Sequence, residues 1–194
     1  MNQSTVHFVV LVLAASSLLI ATASRADAGA GALPDGTPWV GAIRTMDDAL
    51  ARGDLRAALR AREDARLAAL ASQRWEGMAM VGDATLRLAQ KAGLVSAMEP
   101  AARRAYAFAL HRASRQGSVD GAVRITVAFA GLGDHEMARK SLAVAESLAA
   151  ACHDPDAQQR VRALEQWLAA EMPRAGSVPA AEAASREGTS PGRD

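Results

Sequence analysis

Three glycines, Gly53, Gly93 and Gly133, recur at intervals of 40 residues, and each stands between two apolar stretches of helical periodicity. Two of them are followed by aspartate, as Arg52-Gly53-Asp54 and Leu132-Gly133-Asp134. Glycine takes the left-handed conformation that ends a helix, and aspartate accepts from the free N–H groups of the next one. Helix, tight turn and helix at a fixed period is the mark of stacked helical hairpins, none of which can bury its apolar face alone. Composition agrees: half the residues are hydrophobic but only 4% aromatic. After residue 20 no β-branched or aromatic run of strand length occurs, and alanine and leucine, both strong helix formers, dominate. The predicted fold is all-α: a short right-handed solenoid of three helical hairpins, with a period of about 40 residues, plus a C-terminal capping helix.

Periodicity places seven helices near 39–52, 55–72, 75–91, 97–115, 119–131, 135–152 and 155–171. Ser96-Ala97-Met98-Glu99 has the spacing of a capping box, with Pro100 in the first turn that would follow. Gly117 can close that helix, and Asp154-Pro155-Asp156 is a start signal for the last. On the last helix Val161, Leu164, Trp167 and Leu168 share a face, as a helix covering an open end requires. Trp39 and Trp75, 36 residues apart, open consecutive hairpins and are placed to wedge between neighbours.

The Gly-Asp turns and the alanines around them resemble the tetratricopeptide repeat family. Phe129, Gly133, Asp134, Ala138, Leu142 and Ala145 sit at family spacing in the third repeat. The first keeps Ala49, Gly53, Asp54, Ala58 and Ala65, with Arg62 where a large apolar residue is usual. The second keeps Ala89, Gly93 and Ala105, and the period exceeds the family's usual length of about 34. The resemblance covers Trp39 to about His153. It implies a concave groove lined by the first helix of each hairpin, which in that family takes extended peptides or a partner's tail. The groove positions it implies are Val40, Ile43, Asp47, Met80, Asp83, Arg87, Gln90, Lys91, Asp120, Val123 and Val127.

The chain therefore divides into residues 1–28, a linker at 29–38, a helical repeat domain at 39–172 and a tail at 173–194. Val6 to Ile20 is an apolar run followed by Ala21-Thr22-Ala23 and Ala26-Asp27-Ala28, both of which fit a signal-peptidase site. The expectation is export to the periplasm or beyond, with a mature chain starting at Ser24 or Gly29. An uncleaved anchor is the rival, since Val6 to Ala23 is just long enough to span a bilayer. Gly29 to Pro38 is rich in glycine and proline without periodicity, and the tail from Pro173 has the composition of a disordered segment.

Chemistry is scarce. Cys152 is the only cysteine, so no internal disulfide forms, and it is expected as a small buried side chain. His111, His135 and His153 lack the i,i+4 pairing of a metal site, and no Cys-x-x-Cys or His-Glu-x-x-His occurs. A bundle holding a metal or small ligand would need these histidines to converge. The adjacent acids Asp47-Asp48 and Glu63-Asp64 lie on helix surfaces, whereas a cell-envelope hydrolase needs two carboxylates facing each other across a pocket. No nucleophile elbow or phosphate loop is present. No cofactor, catalytic residue or metal site is predicted.

Net charge is +1, which argues against a general nucleic-acid binder. The charge is polarised, however. Residues 39–115 hold thirteen basic and eight acidic side chains, and residues 118–172 hold five and eight. Arg52, Arg56 and Arg60 form a stripe on the second helix, without the interleaved aromatics that single-stranded nucleic acid requires. Such polarity permits an acidic partner or head-to-tail self-association. Asp83, Arg87 and Lys91 recur every four residues on a first helix, where i,i+4 pairs can form. The expected function is an exported, non-enzymatic scaffold that binds a protein or peptide partner. Its candidate site is Met80, Asp83, Arg87, Gln90 and Lys91, with Asp47 and Asp120 beside it. Contact with a membrane is expected only if the N-terminal segment is uncleaved.

Overall fold

The computed structural model describes residues 37–171; residues 1–28, most of the linker and the tail from Pro173 lie outside the described residues. Those described form seven helices and no strand. They are α1 (Pro38–Ala51), α2 (Leu55–Ser72), α3 (Trp75–Ala92), α4 (Val95–Arg115), α5 (Val119–Gly131), α6 (His135–Cys152) and α7 (Pro155–Glu171). The described residues are all-α, with helix ends within two residues of those read from periodicity. Consecutive helices pack as hairpins, α1 on α2, α3 on α4 and α5 on α6, while α7 lies on α6 and α5. Between hairpins, α3 touches α1 and α5 touches α3.

Turns of two or three residues make this close succession possible. Gly53, Gly93, Gly117 and Gly133 all have φ between +66° and +74°. The next N–H in each case returns to the carbonyl five residues back: Asp54 to Ala49, Leu94 to Ala89, Ser118 to Ala113 and Asp134 to Phe129, at 2.8–2.9 Å. That residue then caps the following helix. Asp54 Oδ1 accepts from Ala57 N at 2.9 Å, Asp134 Oδ1 from Met137 N at 3.1 Å, and Ser118 Oγ from Gly121 N at 3.0 Å. The other two joints end in Gln73 (φ 59°) and His153 (φ 55°), side-chain-bearing residues in a conformation that ordinarily favours glycine.

The capping box expected at Ser96 does not form. Leu94 closes α3 with its N–H and already accepts from Met98 N at 3.0 Å, so the same residue starts α4. Ser96 consequently falls inside the helix, and Pro100 lies in its interior on an exposed side.

Large and small side chains are divided between the helices. Trp39, Ile43 and Met46 of α1, Met78, Val81 and Leu88 of α3, and Ile125 and Phe129 of α5 are buried. Against them α2 buries only Ala58, Ala61, Ala65 and Ala69, and α6 only Ala138, Ser141, Ala145 and Ala149. Ile43, expected on the groove, belongs to this core. Trp39 and Trp75 wedge between hairpins, Trp39 against Gly77 and Trp75 against Gly121, where any Cβ would press on the indole. Val161, Leu164 and Leu168 of α7 are buried and Trp167 is half-buried. Cys152, expected inside, is exposed, because it occupies the last turn of α6, with Sγ 3.4 Å from the Ala149 carbonyl oxygen.

α4 ties the hairpins on either side of it. Arg112 donates to the Ala69, Leu70 and Arg74 carbonyls at 2.9, 3.0 and 3.2 Å, capping the C-terminus of α2 with a cation where the helix dipole is negative. Arg103 reaches the other way, to the Leu132 carbonyl at 3.1 Å and to the Asp134 carboxylate. Among the described residues no helix is long and apolar enough to cross a membrane.

Candidate binding surfaces

α3, α5 and α7 each carry an aspartate followed four residues later by an arginine: Asp83 and Arg87, Asp120 and Arg124, Asp156 and Arg160. On an isolated helix these would pair with each other. In the fold, each arginine reaches back to the preceding hairpin. Arg87 Nη2 is 3.0 Å from Asp47 Oδ2, Arg124 Nη2 is 2.6 Å from Asp83 Oδ2, and Arg160 Nη2 is 3.2 Å from Asp120 Oδ1. The partners lie 40, 41 and 40 residues apart. A row of ion pairs thus runs across α1, α3, α5 and α7.

Asp83 is fixed at the centre of this row. Tyr106, buried on α4, donates its hydroxyl to Asp83 Oδ1 at 2.7 Å and leaves Oδ2 to Arg124. Burial and the facing carboxylate both raise the Tyr106 phenol far above its ordinary range, so it stays a donor. The ring has room because Gly82 lacks a Cβ, which would overlap it, and its outer edge meets Phe129 at 5.9 Å between centroids.

Of the candidate site, Asp47, Asp83, Arg87 and Asp120 fall in this row, though the i,i+4 pairing considered for Asp83, Arg87 and Lys91 gives way to pairing across hairpins. Met80 is half-buried against the core. Gln90 and Lys91 are exposed at the far end of α3 and make no side-chain hydrogen bond among the described residues. Sequence reasoning did not single out Arg124, Arg160 or Tyr106. The Asp-x-x-x-Arg spacing, recurring at 37 and 36 residues, is the signal that marks the first two.

Convergent chemistry is not found in the clefts. Two clefts, one lined by residues of α2, α3 and α4 and one by residues of α4 and α6, contain no carboxylate in their walls. His135 and His153 stand at opposite ends of α6, about 27 Å apart at the rise of a helix, so the three histidines do not converge. Among the described residues no three His, Cys, Asp or Glu side chains come together as a metal site would require. No protein-family model, curated protein or solved structure matches this chain.

Proposed function

We propose that the chain is an exported, non-enzymatic helical-repeat scaffold that binds a protein or peptide partner through a concave groove. In this reading the three hairpins and α7 form a short right-handed solenoid of the tetratricopeptide type, and α1, α3 and α5 line its inner face. The observation that carries it is the row of ion pairs, whose partners are offset by one hairpin at each of three successive joints. Translation by one repeat gives that offset, and it brings the same helix face to the same side each time.

The paired charges remain accessible: Arg87 and Asp47 are 47% and 45% exposed, and Asp120 is 69% exposed. Ion pairs this wet contribute little to stability and exchange partners at low cost. An extended peptide with charges of both signs can therefore displace them rung by rung, while Gln90 and Lys91 offer free donors at the edge. Export rests on the apolar run and the two Ala-x-Ala sites.

Isolation of the mature chain from the exported fraction, with intact-mass measurement, is expected to give a start at Ser24 or Gly29. A full-length mass in the membrane pellet would show an anchor instead. With a partner captured from that fraction, Arg87→Glu is expected to weaken binding at least tenfold, about 1.4 kcal/mol, with little change in melting temperature. Arg56→Glu is expected to bind near wild type. The reverse pattern would move the site to the second helices.

A further inference from the structure

α2 and α4 are the second helices of neighbouring hairpins, and a cleft of about 210 Å³ separates them. Its floor is Met78 and Val81 of α3, each at most 2% exposed. Thr85 beside them has already donated its hydroxyl to the Val81 carbonyl at 2.7 Å, so the floor offers no free donor. Arg62 and Arg66 stand on the α2 wall, and Arg104 and Phe108 on the α4 wall. Ala101 and Ala105 of α4 keep the gap open. Beyond Leu70 of the cleft wall, Arg112 bridges from α4 to the end of α2.

The charge around this cleft is not balanced. Glu63 is shared by Arg62 and Arg66, at 3.2 Å to the Nη2 of the first and 3.0 Å to the Nε of the second. Arg104 makes no ion pair among the described residues. Arg62 stands where a repeat of this kind usually has a large apolar residue, its side chain only 16% exposed. Its Nε is buried without a hydrogen-bond partner. A buried donor left without an acceptor costs free energy that an incoming acceptor recovers. Phe108 on the opposite rim is 51% exposed. A second cleft, lined by Ser114, Ala143, Val144, Ser147 and Leu148, has no charged wall at all.

We infer that the α2–α4 cleft docks an acidic amphipathic helix of a protein partner, one that inserts a single large apolar side chain between flanking carboxylates. Arg62 and Arg66 are four residues apart, as are Arg104 and Phe108, so each wall repeats at one helical turn. Carboxylates on consecutive turns of a docking helix repeat at the same spacing. The cleft is smaller than the roughly 300–1,000 Å³ of small-molecule pockets, which suits one side chain and not a whole ligand. A bilayer is a poor occupant, because membrane-binding helices present their apolar residues outermost and this floor lies below its arginines. The inference concerns the second helices and does not depend on the groove on the first.

The test is a fluorescein-labelled synthetic helix with one phenylalanine flanked by glutamates at i−4 and i+4, titrated with the whole mature chain at low ionic strength by anisotropy. Arg104→Glu and the cleft-filling Ala101→Phe are each expected to weaken binding at least tenfold. Arg56→Glu, on α2 outside the cleft, is expected to change it less than threefold. Peptides with Phe→Ala, or with both Glu→Gln, are expected to lose at least tenfold. Should Ala101→Phe lose its helical circular dichroism, Arg104→Glu and the two peptide variants decide alone. Absence of binding by the parent peptide overturns the inference. Equal losses for Arg104→Glu and Arg56→Glu do so too, in favour of diffuse attraction to positive charge. So does undiminished binding of the Phe→Ala peptide. Tight Arg104-dependent binding to phosphatidylglycerol vesicles, with none to the peptide, would assign the cleft to a membrane surface instead.

Discussion

Arg87, Arg124 and Arg160 on the first-helix side each meet an aspartate one hairpin away, whereas Arg56, Arg60, Arg104 and Arg115 on α2 and α4 make no ion pair among the described residues. α1, α3, α5 and α7 together hold six basic and eight acidic residues, close to balance; α2 and α4 hold eight arginines against three acids. The same side chains therefore do two different things. On one side they answer charges one hairpin away. On the other they leave unpaired positive charge beside an apolar floor, the combination on which the proposed docking of an acidic helix rests.

The largest expected effect breaks the anchored side. Gly82→Ala drives a methyl into the Tyr106 ring, which is held between Asp83 and Phe129, and is expected to destabilise the fold by about 2–3 kcal/mol in urea denaturation. A loss below 1 kcal/mol would mean that the ring moves aside and that Asp83 is not anchored. Next comes Arg112→Met, which removes the donors to the carbonyls ending α2. A loss of about 1–2 kcal/mol is expected, against a change within about 0.5 kcal/mol for Arg104→Met on the same helix. Equal effects would erase the distinction between an arginine that clamps and one that is free. The smallest effect sharpens the contrast most. A double-mutant cycle on Asp47→Asn and Arg87→Met is expected to give a coupling of about 0.2–1 kcal/mol, shrinking as salt is added, because half of each side chain faces solvent. A coupling above 2 kcal/mol would make the row a main source of stability, not a register device.

The helices were legible because their ends are written in local chemistry. Gly53, Gly93, Gly117 and Gly133 mark where α1, α3, α4 and α5 stop, and Asp54 and Asp134 mark where α2 and α6 begin. Gln73 and His153 carry no such mark. Their surroundings are not local in one case and local in the other: Gln116, just past α4, donates to the Gln73 carbonyl at 2.9 Å, and His153 Nδ1 lies 2.9 Å from the Ala151 carbonyl oxygen. Ser96 misled for a related reason: its capping box is a sound local signal, overridden because Leu94 had already started the helix. Of the candidate site, the residues were visible and their partners were not. Asp83 and Arg87 look like a pair in sequence, and only the packing of hairpin on hairpin shows that each bonds outward. The cleft was illegible altogether, since Arg62, Met78 and Arg104 share no motif and meet only across three helices.

The alanine faces of α2 and α6 bear on how such a chain tolerates change. Alanine has no side-chain rotamers, so burying it forfeits almost no conformational entropy, while each buried leucine or isoleucine forfeits about 0.5–1 kcal/mol. A face made this way needs little driving force to dock, and it also has nowhere to yield. A leucine core can be trimmed to valine or reshaped to methionine. At Ala58, Ala61, Ala65 or Ala69 every substitution except glycine adds atoms at a residue with no rotamer of its own to adjust, so the large side chains packed on it must give way. The tolerance of this molecule to mutation is thus inverted. In a saturation scan its smallest interior residues would be the most restrictive, and change there would be accommodated by glycine, by backbone movement or by repacking of the large side chains opposite.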